Sequence, residues 1–395
     1  MKIAIFSDNF YPELSGVADS VISLSKELAV RNHEIKFFAP KYSKKNFEKV
    51  GLPFGEIDLG PNISVHRFPS FTYPAPTGQA RAVLPSLNGW QAVKQFAPDV
   101  IHSQLFFGVG LEALRAVKKL NIPFVGTNHT AITEFVKYSP VRGEWVKKMF
   151  MNYAVWYYNK CDFVTAPSES VFSEMLPNGF DKPHRAISNP IDLGMFNPIF
   201  GGDSLAIKNK FGLTGPTIVY AGRLADEKNI DVLIRAVALI KDKVANINLA
   251  LAGHGTIKEK LSKLASELGV SENIKFLGTI PKKDLADVYR VSDIFAIASI
   301  SETQSLTLMQ GMACGLPAVG VNSRALPEYI TNEVGFIVKP GDYKSMADKF
   351  SLLLTNRETR ETMGRAAGEY LKKFSAPSIA QQWESLYDEV INSKQ

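Results

Sequence analysis

Cysteine is almost missing from this chain of 395 residues: Cys161 and Cys314 are the only two. They lie far apart, with no histidine or further cysteine close by in sequence, so neither a disulfide framework nor a zinc site is indicated. Both read as small core residues. Also missing is any apolar run near the ~20 residues that span a bilayer, so no transmembrane helix is expected. The opening residues, Met1-Lys-Ile-Ala-Ile-Phe-Ser-Asp8, have neither the apolar region nor the cleavage site of a signal peptide, and the chain is expected to stay in the cytoplasm. An excess of one charge sign is small too. The net value of +6 would suit a nucleotide, nucleic acid or an anionic membrane surface, or simply aid solubility, and decides nothing among them. What is present is ordinary globular composition, 45% apolar and 21% charged, in a chain too long for one typical core. Two domains are the default.

Short apolar runs alternate with helically spaced stretches through the first half. Strands are expected over 2–7, 34–39, 63–68, 100–103, 123–128, 163–167 and 185–188, and helices over 20–30, 86–96, 111–120 and 145–159. That alternation predicts an α/β fold with a doubly wound parallel sheet, whose ligands gather at the carboxyl ends of the strands. Candidates for this half are therefore residues 8–16, Ser103-Gln104 and Asn128-His129-Thr130. Gly16, in Ser15-Gly16-Val17, marks a close approach of the backbone either to the neighbouring strand or to a ligand. His129 is either a hydrogen-bonded histidine capping a helix mouth or a residue of the site. His66, His102 and His184 show no comparable company.

Two stretches invite a second reading. Residues 67–85, rich in proline and aromatics without clean periodicity, form a long irregular loop of the kind that is often functional. The loop suits a greasy acceptor, or Phe68, Phe71 and Tyr73 tuck beneath it as a satellite core. Helix 145–159 carries Trp145, Met149 and Trp156 beside a second stripe of Val146, Phe150, Tyr153 and Tyr157. One reading is a broadly buried helix. The other is a membrane-surface contact, with Trp and Tyr at headgroup depth and Lys137, Arg142, Lys147 and Lys148 against anionic lipid.

Prolines at 190 and 198 and glycines at 194, 201 and 202 mark an interdomain linker, so the first domain is taken as 1–198 and the second as 199–375. Strands resume over 217–221, 248–252, 274–277, 294–298, 318–320 and 335–338, a second doubly wound sheet. The last residues, 376–395, hold the amphipathic set Ile379, Trp383, Leu386, Tyr387 and Val390 and are expected to dock back on the first domain.

Residues 299–320 carry the clearest chemistry. They read as a polar turn after a strand, a helix opening near Ser305, and a Gly-Leu-Pro break before another strand. The first amides of a helix have no partner within it and sit at the positive end of its dipole, which makes an anion site. Glu302 stands just outside that mouth. A bare phosphate would be repelled by it, whereas a sugar hydroxyl would donate to it, so the ligand expected is a nucleotide sugar. Gly222-Arg-Leu-Ala-Asp-Glu-Lys228 follows the first strand of this half, putting Arg223 and Lys228 at the same sheet edge. Two cations there would bind a diphosphate, one as a fork and one as a point charge. Alternatively both are surface residues, Lys228 pairing with Asp226 or Glu227.

Gly222-Arg223, Glu227-Lys228, Gly253-His254-Gly255, Ser292-Asp293, Glu302 and Ala313-Cys-Gly-Leu-Pro317, in this order, resemble glycosyltransferase family 4, the retaining transferases of the GT-B fold. Gly16, Asn128-His129-Thr130 and Asn189-Pro-Ile-Asp192 support the likeness, which covers nearly the whole chain. Arg67-Phe-Pro-Ser70, residues 81–85 and Glu302-Thr-Gln-Ser-Leu-Thr307 look most like the branch that glucosylates diacylglycerol or mannosylates related lipids.

The resemblance implies two Rossmann-like domains facing a cleft, and a hexosyl transfer from UDP-glucose or GDP-mannose to a lipid or glycan acceptor. It implies that Arg223 and Lys228 hold the donor diphosphate and that Glu302 accepts from the sugar hydroxyls. The amides of Gln304, Ser305 and Leu306 would contact sugar and phosphate, the Gly253-His254 turn would line the donor, Gly16 would approach the diphosphate, and His129 would lie beside the sugar. No Asp-x-Asp occurs, so no metal clamp is signalled; no cofactor and no nucleic-acid partner are expected. Two departures stand out. Gln310 occupies the position of a second glutamate that grips the ribose, and Ser305 that of a small residue, usually glycine. They motivate the alternative of a non-catalytic nucleotide-sugar-binding or partner module on the same fold.

Overall fold

A computed structural model describes residues 1–13, 15–72, 81–84, 89–135, 143–199 and 201–394, the side chains of 134 and 135 excepted. The chain divides into two units, residues 1–190 with 376–395, and residues 191–375.

In the first unit the apolar runs become β1 (Lys2–Phe6), β2 (Glu34–Pro40), β3 (Ile63–Phe68), β4 (Val100–Ser103), β5 (Phe124–Thr127), β6 (Phe163–Ala166) and β7 (His184–Ala186). All pair in parallel, in the order β3-β2-β1-β4-β5-β6-β7. Uninterrupted burial along β4, β5 and β6 is what a parallel strand covered by helices on both faces requires. Four helices matter for the site: α1 (Gly16–Val30), α2 (Gly108–Leu120), α3 (Glu144–Tyr158) and, from the chain's end, the helix over Ala376–Lys394. α1 begins at Gly16 rather than at residue 20, because Ser15 is an extended N-cap whose side chain accepts from the Ala18 amide at 3.2 Å. Gly16 is thus the first residue of a helix, not a loop residue.

The second unit holds β8 (Thr217–Ala221), β9 (Asn248–Ala252), β10 (Ile274–Gly278), β11 (Ile294–Ile297), β12 (Ala318–Val321) and β13 (Gly335–Val338), ordered β10-β9-β8-β11-β12-β13 and all parallel. After β8 comes α4 (Ile230–Ile240), and after β11 comes α5 (Leu306–Ala313). The helix over Ala376–Lys394 is α6. In both sheets the strand order reverses direction beside the first strand, between β1 and β4 and between β8 and β11, opening the crevice where doubly wound folds bind ligands.

The boundary lies between Pro190 and Ile191 rather than after residue 198. Ile191 and Phe196 are buried in the second core, and the Ile191 amide donates to the Phe374 carbonyl at 2.9 Å. The expected linker is therefore part of the second unit. α6 packs in the first: Ile379, Trp383, Leu386, Tyr387 and Val390 are buried, and Glu384 pairs with Arg31 at 3.0 Å and His33 at 2.8 Å.

In the irregular stretch, Phe68 is buried and Phe71 exposed, while Arg81 donates to the Ser70 carbonyl and the Thr72 hydroxyl. Tyr73 lies outside the described residues, as do Lys137, Arg142 and the first residues of the helix expected from 86. α3 buries Val146, Met151, Ala154, Val155, Tyr157 and Tyr158, but Trp145, Met149 and Trp156 are 63%, 51% and 45% exposed, so the broadly buried reading fails for that stripe. Among the described residues, no helix is long and apolar enough to cross a membrane.

Candidate active site

The switch-point crevice of the second unit brings two sequence segments together. After β8 the chain turns at Gly222 and Arg223 and forms a short 3-10 turn, Asp226–Lys228, before α4. After β11 it runs through residues 298–305 into α5. Backbone and side chains lace these segments: the Ile300 amide donates to the Glu227 carbonyl at 3.2 Å, and Asn229 Nδ2 to the Ala298 carbonyl at 3.2 Å. Thr307 Oγ1, in the first turn of α5, donates to the Ala221 carbonyl at 2.7 Å and so fixes the helix mouth to the end of β8.

Across this lacing Lys228 Nζ lies 2.6 Å from Glu302 Oε1, with the two side chains 17% and 13% exposed. Neither of the partners considered from sequence, Asp226 or Glu227, takes Lys228. Asp226 pairs with Lys260 at 3.0 Å and Glu227 with Arg223 at 2.7 Å. The Arg223 side chain is 41% exposed, and its carbonyl accepts from the buried Tyr220 phenol at 3.0 Å. Burial, then the neighbouring Glu302 and Glu227 carboxylates, push the Tyr220 phenol well above its usual range and keep it a donor.

Ser305 is the N-cap of α5, and its hydroxyl accepts from the Leu308 amide at 3.3 Å. Its φ of −102° lies in ordinary extended space, so a side chain there is unstrained, and the serine supplies a cap that glycine would lack. Gln304 is buried, with Nε2 2.7 Å from Met309 Sδ; Leu306 opens the helix, and Gln310 is partly buried further along it. The Gly253-His254-Gly255 turn backs the Arg223 turn. A Cβ on Gly253, whose φ is +146°, would come 1.9 Å from the Gly222 carbonyl oxygen, so the two strand-end turns touch only because glycine stands there. His254 gives its carbonyl to the Leu224 amide at 3.0 Å and leaves its side chain exposed.

At the strand ends of the first unit, His129 follows β5 and its Nε2 lies 2.8 Å from Gln104 Oε1 at the end of β4. Burial pushes the imidazole down to about 4, so it is neutral at physiological pH. A small cavity beside it is lined by Ser20, Gln104, Thr127, Asn189 and Trp383 among others. Asp8, after β1, accepts from the Val109 amide at 2.9 Å at the mouth of α2. Gly16 is exposed at the start of α1.

Residues 14–194 match the family model described as Glycosyltransferase Family 4, and residues 203–370 the model described as Glycosyl transferases group 1. The chain belongs to glycosyltransferase family 4. One relative of this glycosyltransferase, the alpha-monoglucosyldiacylglycerol synthase of Streptococcus pneumoniae, is 25% identical over 100% of the chain and 87% of its own length. The enzyme of the same name from Acholeplasma laidlawii is 27% identical over 81% of the chain and 80% of its own. Anabaena HepE, crystallised with UDP and glucose, shares 18% identity and a TM-score of 0.77, covering 98% of this chain and 100% of its own. That likeness shows the fold class, GT-B with two Rossmann-like domains.

Two residues of this glycosyltransferase escaped the sequence reading. Thr307 stood within the quoted motif without a role, although a hydroxyl in the first turn of a helix is a common tether. His102 was set aside, yet it is fully buried and hydrogen-bonded on both ring nitrogens, to Tyr387 and Thr127. The only hint in sequence was its place at the carboxyl end of a strand.

Proposed function

We propose that this glycosyltransferase moves a hexose, with retention of anomeric configuration, from a nucleotide diphosphate sugar of the UDP-glucose or GDP-mannose type to a lipid or glycan acceptor. The observation that carries the reading is the Lys228–Glu302 pair at the mouth of α5, in the switch-point crevice of the second unit. A cation and a carboxylate held there at 2.6 Å match a ligand that offers phosphate to one and hydroxyls to the other. Lys228 and Arg223 bind the diphosphate, and Glu302 turns to the sugar hydroxyls. The amides of Gln304, Ser305 and Leu306 add the helix dipole, Gln310 meets the ribose, and the Gly253-His254 turn borders the donor. In the first unit, Gly16 belongs to the diphosphate and His129 to the transferred sugar.

As the bond from the anomeric carbon to the phosphate oxygen breaks, negative charge grows on the leaving nucleoside diphosphate. Arg223, Lys228 and the helix mouth stabilise it without reorganising. The acceptor oxygen forms the new bond on the face the leaving group vacates, and its proton passes to the leaving phosphate oxygen.

A lipid acceptor is favoured by the relatives named as alpha-monoglucosyldiacylglycerol synthases and by the outward stripe of α3. Trp145, Met149 and Trp156 flanked by Lys148 suit the headgroup region of an anionic membrane, which would seat the enzyme peripherally on the cytoplasmic face.

A thermal-shift screen with UDP-glucose and GDP-mannose, followed by assay of nucleoside diphosphate release with diacylglycerol vesicles, tests the reading. Stabilisation by one donor and acceptor-dependent release are expected. A donor that binds but is never cleaved with any acceptor would establish the non-catalytic module instead.

A further inference from the structure

Behind His129 runs a chain of polar groups that packing alone does not require. An amide oxygen only accepts, so Gln104 Oε1, 2.8 Å from His129 Nε2, accepts a hydrogen bond from an Nε2–H on the ring. The other end of that amide, Gln104 Nε2, lies 3.2 Å and 3.1 Å from the two ring nitrogens of His102. His102 is itself fixed on both sides, its Nδ1 2.7 Å from the Tyr387 hydroxyl and its Nε2 2.6 Å from Thr127 Oγ1. Thr127 continues to Thr165 at 2.6 Å, and the His102 ring lies 4.5 Å from that of Trp383.

Trp383 and Tyr387 both belong to α6, the last helix of the chain. Ion pairs tie that helix down, Glu384 with Arg31, Glu389 with Arg185 at 3.0 Å and Lys394 with Asp162 at 2.8 Å, and Glu384 also lies within hydrogen-bond distance of His33. A buried imidazole that served only to fill space would be replaced without loss by an apolar side chain, whereas here both ring nitrogens of His102 are matched and the line ends on the strand-end histidine.

We infer that Gln104 and His102, anchored to α6 through Tyr387, are positioning residues that hold His129 in one orientation as its neutral Nε2–H tautomer. The inference rests on the reading that His129 lies beside the transferred sugar, and it adds how the ring is kept ready there. With Nε2 committed to Gln104, Nδ1 is the acceptor atom of the ring. Burial leaves both imidazoles neutral, His102 pushed down to about 3 and His129 to about 4. A mobile ring would turn a different edge toward the proposed sugar position, which is the kind of misplacement that lowers turnover while leaving donor affinity intact.

Nitrogen NMR of the histidine rings in the full-length protein tests this without any substrate. The wild type should show His129 as the Nε2–H tautomer. Gln104→Leu should erase that preference, and Gln104→Glu, nearly isosteric and so available if the leucine variant fails to fold, should convert His129 to the imidazolium by placing a carboxylate against Nε2. For transfer from UDP-glucose to diacylglycerol vesicles, Gln104→Leu should lower kcat about 10- to 100-fold with KM for the donor little changed. Tyr387→Phe should move the His129 signals in the same direction as Gln104→Leu, by less. His129 signals identical in wild type, Gln104→Leu and Gln104→Glu would overturn the inference, as would an Nδ1–H ring in the wild type. Full transfer activity in His129→Asn would instead refute the placement of His129 beside the sugar, and the ring signals would still decide whether the relay exists.

Discussion

Lys228 and Glu302 satisfy each other at 2.6 Å, so donor binding at the proposed site would exchange one charge-assisted hydrogen bond for others. Such bonds contribute ~1.5–3 kcal/mol each. Lys228→Met should therefore weaken binding of the nucleotide sugar by about 10- to 100-fold. Glu302→Gln should behave differently: it releases Lys228 for phosphate, so a nucleoside diphosphate should bind at least as tightly as to wild type while preference for the sugar-bearing donor falls. Calorimetric titration of both ligands checks this, and equal losses for the two would refute the division of labour. A second prediction concerns pH. Burial pushes Asp8 up to about 6, partly offset by the Val109 amide, so the fold keeps a proton that the unfolded chain loses near the usual carboxylate range. Its contribution is fully present below that range and is lost as pH rises through about 6. His102 and His129 act oppositely: their contribution is present above the unfolded value and is lost as pH falls toward about 3 and 4. Asp8→Asn, which keeps an acceptor for Val109, should thus gain stability relative to wild type as pH rises from 4.5 to 7.5, by on the order of 2 kcal/mol. Urea unfolding at several pH values measures the slope; a difference independent of pH would show that Asp8 does not hold the proton.

The elements were legible wherever one physical requirement dominated. Parallel strands covered on both faces are buried along their whole length and mostly apolar, and β4, β8 and β9 coincide with their expected spans for that reason. α1 was misjudged at its start because Gly16 reads as a loop residue, although Ser15 before it was the capping signal. The glycines of residues 253–255 read as ligand-facing, and in the structure they also let one strand-end turn close on another, a contact that composition cannot reveal. α3 was the hardest: its two apolar stripes looked like one wide buried face, and only the packing shows that Trp145, Met149 and Trp156 point outward. That face carries the third prediction. Full burial of a large apolar side chain is worth ~1.5–3 kcal/mol, so partial insertion of two tryptophans supports about a tenfold loss of vesicle affinity in a Trp145→Ser, Trp156→Ser variant. Flotation with vesicles rich in anionic phospholipid should show the loss, with the melting temperature nearly unchanged because both side chains are already exposed. Equal binding by variant and wild type would remove α3 from the membrane, and concentration-dependent association of wild type alone would assign the face to a second copy.

At the level of the whole molecule, two parallel sheets could be read from strand–helix alternation, but the point where one unit passes into the next could not. Ile191 and Phe196 lie among residues that look like linker and are core of the second unit, and the last helix returns to the first. The histidine relay was illegible for the same reason, since His102 and Tyr387 are 285 residues apart in sequence. This discontinuity has an energetic consequence. Ile379, Trp383, Leu386, Tyr387 and Val390 are buried, and at ~1.5–3 kcal/mol each their contribution is on the order of 10 kcal/mol, as an upper estimate. That is comparable to the entire stability of a typical domain, about 5–15 kcal/mol. A chain ending at Ser375 should therefore keep the second unit, whose strands and helices all lie within 191–375, and lose cooperative unfolding of the first, although only 376–395 are removed from it. Calorimetry should show one transition surviving, and limited proteolysis should cut preferentially within 1–190. If the proposed donor site is right, donor binding by the truncated chain should persist, because Arg223, Lys228 and Glu302 all lie in the retained second unit. Two intact transitions in the truncated chain would mean that α6 stabilises the first unit far less than its burial implies.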